Sequence, residues 1–204
     1  FRFKRFRERL GEVDVGGVFH GEEAAAGGGE APAGGTFTAA ALAEWRELCL
    51  GRHWLELHAR LHPQCQTLPL LLHSRRRVLA DVAAQLRVDA RLSLEPVLAV
   101  LPVLALDLQG EFVPHLGALL AALARLVDEG AWREPEALEL VFNCVCHVFK
   151  RLLRFLTVDL AGFLRDTAAL RHNRRAYVRE FAAQACGYIF QSAPHAQFRA
   201  GVRL

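Results

Sequence analysis

The 204-residue chain is 52% hydrophobic and 23% charged, with a formal net charge of +3 and a mean hydropathy of +0.16; these values exclude a disordered tail or a collagen-like chain and allow one globular domain or a section of a larger array. A chain of this length buries about 70% of its unfolded surface and needs neither disulfide nor metal to fold; its five cysteines, Cys49, Cys65, Cys144, Cys146 and Cys186, are odd in number and include no C-x-x-C pair, which points to a reducing compartment. The strongly apolar uncharged runs, Pro96 to Leu106 and Phe112 to Ala124, fall short of the roughly 18 residues that a bilayer span needs, and each contains proline, so no transmembrane helix is expected.

The charge sits at the start of the chain. Arg2, Lys4, Arg5, Arg7 and Arg9 against Glu8 give the first ten residues +4, which leaves −1 for the other 194. Phe1, Phe3, Phe6, Leu10 and Val13 recur between these cations at helical spacings. Residues 1–15 are therefore expected to dock an aromatic face on protein and to turn their basic residues outward. Aromatics interleaved with arginine do not make the apolar core of a signal peptide. Phe1 is not an initiator and the chain has no methionine, so the start reads as processed or truncated. Twenty-three arginines against two lysines read as a compositional bias of the source gene rather than as function.

Residues 16–35 hold eight of the sixteen glycines, five alanines, Pro32 and three glutamates, too little bulk to offset the entropy of ordering, and are expected to form a flexible loop. No Gly-Lys-Ser/Thr ending follows these glycines, which argues against a phosphate-cradling loop.

From Thr36 the pattern is helical, without sustained two-residue alternation or an Asn-Gly or Asp-Gly hairpin signal. Thr38 is the expected cap of a helix to Leu50; a short helix follows over Trp54–Leu61, ended by Pro63, and another runs from Leu68 to about Leu86 with a break expected at Ser74. Ser93 is the expected cap of a helix carrying Leu94, Val97, Leu98, Leu101, Ala105 and Leu108 on one stripe, with Pro96 in its first turn and Pro102 as a kink. Its partner spans Glu111 to Asp128. Leu138, Val141, Phe142, Val145, Phe149, Leu152 and Leu156 mark a helix of about six turns, and Thr157 is the expected cap of the next, to about Leu170. Val178, Phe181, Ala182, Ala185 and Ile189 repeat the stripe. First helices starting near 93, 134 and 174 make units at 93–130, 134–170 and 174–204 within a helical body at 36–204. A period of about 40 residues with two helices per unit predicts an all-α, HEAT- or armadillo-like solenoid fragment; a compact helical bundle is the alternative.

Chemistry-bearing groupings are few. His53, His58, His62 and Cys65 have metal-like spacing, but Pro63 interrupts it, and surface histidines beside a buried cysteine are the preferred reading. Cys144 and Cys146 point about 200° apart on one helix and cannot chelate one ion, and an aliphatic stripe around Cys144 and His147 favours packing over a nucleophile. No catalytic, cofactor or metal site is expected. The candidate RNA- or partner-binding residues are Arg2, Lys4, Arg5, Arg7 and Arg9 of the leader, Arg75, Arg76 and Arg77, and Arg174 and Arg175, the last two grouped with Arg171 and Arg179.

Several blocks carry a family resemblance. The opening FRFKRFRERLGEVDV, LPLLLH at 68–73, LALDLQGEFVPHL at 104–116, LELVFNCVCHVFKRLLRFL at 138–156 with Phe149, Lys150, Leu152 and Arg154 in register, and YVREFAAQACGYIF at 177–190 with Arg179, Phe181, Ala182 and Ala183 in register are together similar to the amino-terminal region of the down-regulated-in-metastasis family, also called U three small nucleolar RNA-associated protein twenty. The Gly/Ala-rich loop and the Ala105-Leu106 pair, in place of alanine-arginine, depart from the family pattern. The resemblance implies a nucleolar, non-catalytic HEAT-repeat scaffold of the small-subunit processome (90S pre-ribosome), with processome proteins, pre-ribosomal RNA and the U three small nucleolar ribonucleoprotein as partners, and no membrane or small-molecule substrate. A HEAT-type adaptor or nuclear transport factor unrelated to ribosomes is the alternative.

Overall fold

A computed structural model of the chain describes residues 4–15, 35–87, 92–129 and 135–194. Phe1, Arg2 and Phe3 of the leader, and all of the expected loop except Gly35, lie outside the described residues. Among the described residues the structure is helical without strands: α1 (Phe6–Val15), α2 (Phe37–Leu48), α3 (Arg52–Leu61), α4 (Leu68–Gln85), α5 (Leu94–Leu108), α6 (Val113–Glu129), α7 (Pro135–Leu156), α8 (Leu160–Asp166), α9 (Ala168–Arg171) and α10 (Ala176–Ser192), with 3-10 turns at His62–Gln64 and Gln109–Phe112.

These helices stack in two rows. In one, α5 lies between α2 and α7, and α7 packs on α10; in the other, α4 packs against α6, and α6 against α8 and α9. The rows meet through α4 on α5, α6 on α7 and α9 on α10. Helices α5, α7 and α10 begin at Leu94, Pro135 and Ala176, 41 residues apart each time. Each therefore opens a new step of the stack after one returning segment.

The inner helices are apolar on more than one stripe because they have neighbours on more than one side. In α5, Val97 and Leu98 on the predicted stripe and Val100 and Leu104 off it are all sealed from solvent. Pro102 removes a backbone bond at a local cost of about 3 kcal/mol, yet α5 continues through it to Leu108. The burial around it offsets that loss. By length and composition Leu94–Glu129 could cross a membrane, but it is interrupted at Gln109 and mostly buried against protein. Gln109 holds φ 52° and ψ −123°, a conformation that costs a non-glycine residue about 1–3 kcal/mol. Arg154 of α7 donates to its side-chain oxygen at 2.6 Å, tying the corner down.

Two expected helix caps are displaced, and Ser93 stands at its expected cap position without a capping bond. Thr36, not Thr38, caps α2, its hydroxyl oxygen accepting from the Ala39 amide at 2.9 Å. Thr38 is buried and donates to Asp107 of α5, through its amide at 2.7 Å and its hydroxyl at 2.6 Å, while the Phe37 amide reaches the other carboxylate oxygen at 3.2 Å. Burial pushes the Asp107 carboxyl up, and these donors pull it down by less. Ser93 makes no bond to its own helix; its hydroxyl oxygen accepts from the Trp54 amide, in the first turn of α3, at 3.0 Å. Thr157 is replaced as cap by Asp159, which accepts from the Gly162 amide at 2.8 Å. The expected break at Ser74 is absent, and a break at Thr167 instead divides α8 from α9. The Thr167 hydroxyl there donates back to the Phe163 carbonyl at 2.9 Å.

Candidate partner-binding surface

The leader helix α1 lies against α7 and α10. Phe6 is buried, its ring 5.6 Å from Phe181 and 5.5 Å from Tyr188, and its amide donates to the Gln184 side-chain oxygen at 2.8 Å. Of the expected apolar face, Phe6 and Leu10 are buried, while Phe1 and Phe3 lie outside the described residues. The arginines divide. Arg5 is exposed; Arg7 is exposed but donates to Gln191; Lys4 is exposed, and Arg2 lies outside the described residues.

Arg9 corrects the picture of outward-facing cations. It is 1% exposed, pairs with Glu139 of α7, donates to Asn143 at 2.8 Å and to the Lys4 carbonyl at 3.1 Å, and lies 5.2 Å from the centre of the Phe142 ring. The reason is helical geometry: positions 6, 9, 10 and 13 form one stripe, so Arg9 shares the face of Phe6 and Leu10. Its charge is tolerated there because α7 supplies a carboxylate and an amide oxygen.

The internal basic groups are not two patches. Successive helical residues diverge by about 100°, and Arg75, Arg76 and Arg77 point to different neighbours. Arg75 pairs with Glu111 at 3.0 Å and donates to the Leu72 carbonyl at 2.6 Å. Arg76 is exposed beside His115, whose imidazole is held below its ordinary range by burial first and then by the charges of Arg76 and Arg75. Arg77 borders a cavity of about 650 Å³ between α3 and α4, together with Arg60 and His73. Sequence reading missed the latter two; the four-residue spacing of His73 and Arg77 was the available signal.

Arg174 and Arg175 converge on Asp128 at the end of α6, at 3.3 and 3.7 Å, beside Asn173, which donates to the same carboxylate at 3.2 Å. Arg179 donates to the Asn173 and Arg174 carbonyls at 2.8 Å, and Arg171 to the Leu164 carbonyl at 2.7 Å. Arg174 and Arg175 sit at the C-terminal end of α6 and Arg171 at that of α8, where the carbonyl dipoles favour positive charge, while Arg179 ties down the segment between α9 and α10. Arg174 and Arg179 stay exposed while making these bonds.

The His58 and His62 rings stack at 5.2 Å, and His58 meets the Trp54 ring edge-on at 6.1 Å. Cys65 is buried and its thiol is pushed up to about 12, by burial first and by Asp107 second. Among the described residues no group of three or more His, Cys, Asp or Glu is placed to hold a metal ion. Cys144 and Cys146 are both sealed in the core, because α7 has neighbours on opposite sides, and burial pushes both thiols far up.

No family model matches the chain. It is 25% identical over 161 residues to U3 small nucleolar RNA-associated protein 20 of Saccharomyces cerevisiae, which covers 78% of the chain. It is 24% identical over 156 residues, 76% of the chain, to the protein of the same name in Schizosaccharomyces pombe. The chain is similar in sequence to U3 small nucleolar RNA-associated protein 20. The resemblance read from the sequence blocks is borne out at that level. The chain spans 6% of the length of each of these curated relatives, so the likeness concerns a small region of U3 small nucleolar RNA-associated protein 20.

Proposed function

We propose that the chain is a section of a non-catalytic HEAT- or armadillo-like scaffold of the small-subunit processome, supporting pre-ribosomal RNA processing and small-subunit assembly in the nucleolus. The observation that carries this reading is the similarity to two fungal proteins whose name ties them to U3 small nucleolar RNA. The two-row stack supports it: steps of 41 residues make a one-dimensional array whose long flanks suit many simultaneous contacts. The burial of Cys144 and Cys146 also supports a packing role for the thiols rather than a chemical one. Processome proteins, pre-ribosomal RNA and the U3 ribonucleoprotein are the partners, and the exposed leader cations Lys4 and Arg5 are offered to them.

The test is immunoprecipitation of the tagged protein from nuclear extract, with U3 RNA and pre-ribosomal RNA measured in the eluate. Native protein enriches both, and R5E, an exposed charge reversal, lowers the recovery. Recovery of transport factors or cargo with no U3 enrichment overturns the reading in favour of an unrelated adaptor.

A further inference from the structure

We propose that the cavity between the end of α3 and the first half of α4 binds the phosphodiester backbone of an RNA strand. Two elements bring its basic side chains together. Arg60 comes from the last turn of α3, while His73 and Arg77, one helical turn apart, stand on the same side of α4. The 3-10 turn at His62–Gln64 forms the third wall through Pro63 and Gln64.

The cations are available. Arg77 is exposed and has no ion-pair partner among the described residues. Arg60 faces Asp81 through Nε at 3.9 Å, too long for a hydrogen bond, so the carboxylate orients the guanidinium and leaves its donors free. Two guanidinium forks and an imidazole meet the requirement for gripping phosphate oxygens, which Arg matches bidentately.

The other groups select the phosphate's carrier. Gln64 spends its amide nitrogen on the Arg60 carbonyl at 2.9 Å, leaving its oxygen as an acceptor, and the Ser74 hydroxyl adds a second. Acceptors beside phosphate-binding cations suit a ligand that also carries hydroxyl donors, as ribose does through its 2′-OH. The site is a groove of about 650 Å³ open to solvent, with room for a nucleotide unit. The choice of RNA over other phosphate carriers also rests on the processome reading above.

The experiment is fluorescence anisotropy of a labelled single-stranded oligouridine titrated with the 204-residue chain across a salt series. R60Q/R77Q should weaken binding roughly tenfold at low salt and lower the slope of log affinity against log salt by about 1.4, as expected for two lost phosphate contacts to a single strand. H73Q should weaken binding by a smaller factor and serves if the double variant loses helicity. R125Q, which removes an exposed arginine from α6, should bind as the native chain does. Unchanged affinity and slope in both R60Q/R77Q and H73Q overturn the proposal, as does an equal loss in R125Q, which would mean charge alone. Displacement of the RNA by inorganic phosphate or a phosphoserine peptide at comparable concentration assigns the cavity to a simpler phosphate group and also overturns it. Because U3 recovery is measured separately in extract, failure of this site and failure of the processome reading give different results.

Discussion

The buried Arg9 makes the attachment of the leader depend on one side chain. Replacing Arg9 with alanine removes the cation from Glu139, the donor to Asn143 and the bond to the Lys4 carbonyl. Breaking a buried ion pair costs about 3–5 kcal/mol. Here the Glu139 side chain is 20% exposed and can be partly rehydrated, which brings the estimate to about 2–3 kcal/mol; the Phe142 contact adds about 0.5–1 kcal/mol. Phe6 and Leu10 add about 2 kcal/mol of burial each, but ordering the backbone of α1 costs roughly 1–2 kcal/mol per residue fixed, so without the Arg9 contribution the burial of these two side chains does not suffice to hold the helix in place. R9A should release α1 locally while the helices behind it stay folded, because α7 and α10 also contact each other directly.

Hydrogen exchange read by mass spectrometry separates these events. Amides of residues 6–11 should lose protection by about 30-fold or more, equivalent to about 2 kcal/mol, while amides in the middle of α5 and α7 keep theirs. R9M in an E139L background replaces the pair with apolar groups and should restore much of the protection. Unchanged protection of α1 in R9A would refute the idea that the ion pair holds the leader. Equal loss in α1 and α5 would refute the idea that the leader is a separable unit.

Two further outcomes follow from buried polar chemistry. D107A leaves the Phe37 and Thr38 amides and the Thr38 hydroxyl without their acceptor and should cost about 2–3 kcal/mol in urea unfolding, against about 1 kcal/mol for T38V. If D107A is no worse than T38V, the carboxylate does not hold the first turn of α2. Ellman's reagent should label Cys49, the one half-exposed cysteine of the five, quickly, and Cys65, Cys144, Cys146 and Cys186 only after unfolding. The Cys65 thiol is pushed up to about 12 in the fold, against about 8.5 in the unfolded chain. The folded state therefore holds its proton more tightly; this contribution to stability is complete below pH about 8.5 and is lost as pH rises toward 12. C65A should flatten the alkaline limb of the stability curve; an unchanged limb would show that Cys65 does not govern it.

The helices themselves were legible from the sequence, and so was the core. The stripes from Leu94, Leu138 and Val178 are buried as read, because a helix can hide apolar side chains only at spacings of three and four, and nothing distant is needed to set that period. The step between units was legible for the same reason. The identity of the capping groups was not. Thr38 and Ser93 have the right chemistry for local caps, yet each serves a partner far along the chain, Asp107 in one case and the Trp54 amide in the other. A free helix-end amide is satisfied by whichever oxygen packing brings near, and sequence reveals only the oxygens next to it.

The same limit governs charge. Composition located the excess in the leader, but sequence alone turns Arg9 outward with the other cations; only the approach of α7 supplies the Glu139 and Asn143 oxygens that make burial of a guanidinium tolerable. Likewise the run Arg75–Arg77 reads as one basic centre in one dimension and is divided among Glu111, the His115 side and the α3–α4 cavity in three. Local periodicity fixes which residues can share a face. Which face meets a carboxylate, a carbonyl or open solvent depends on helices far away in the chain, so the distribution of charge at this surface was decided by tertiary packing.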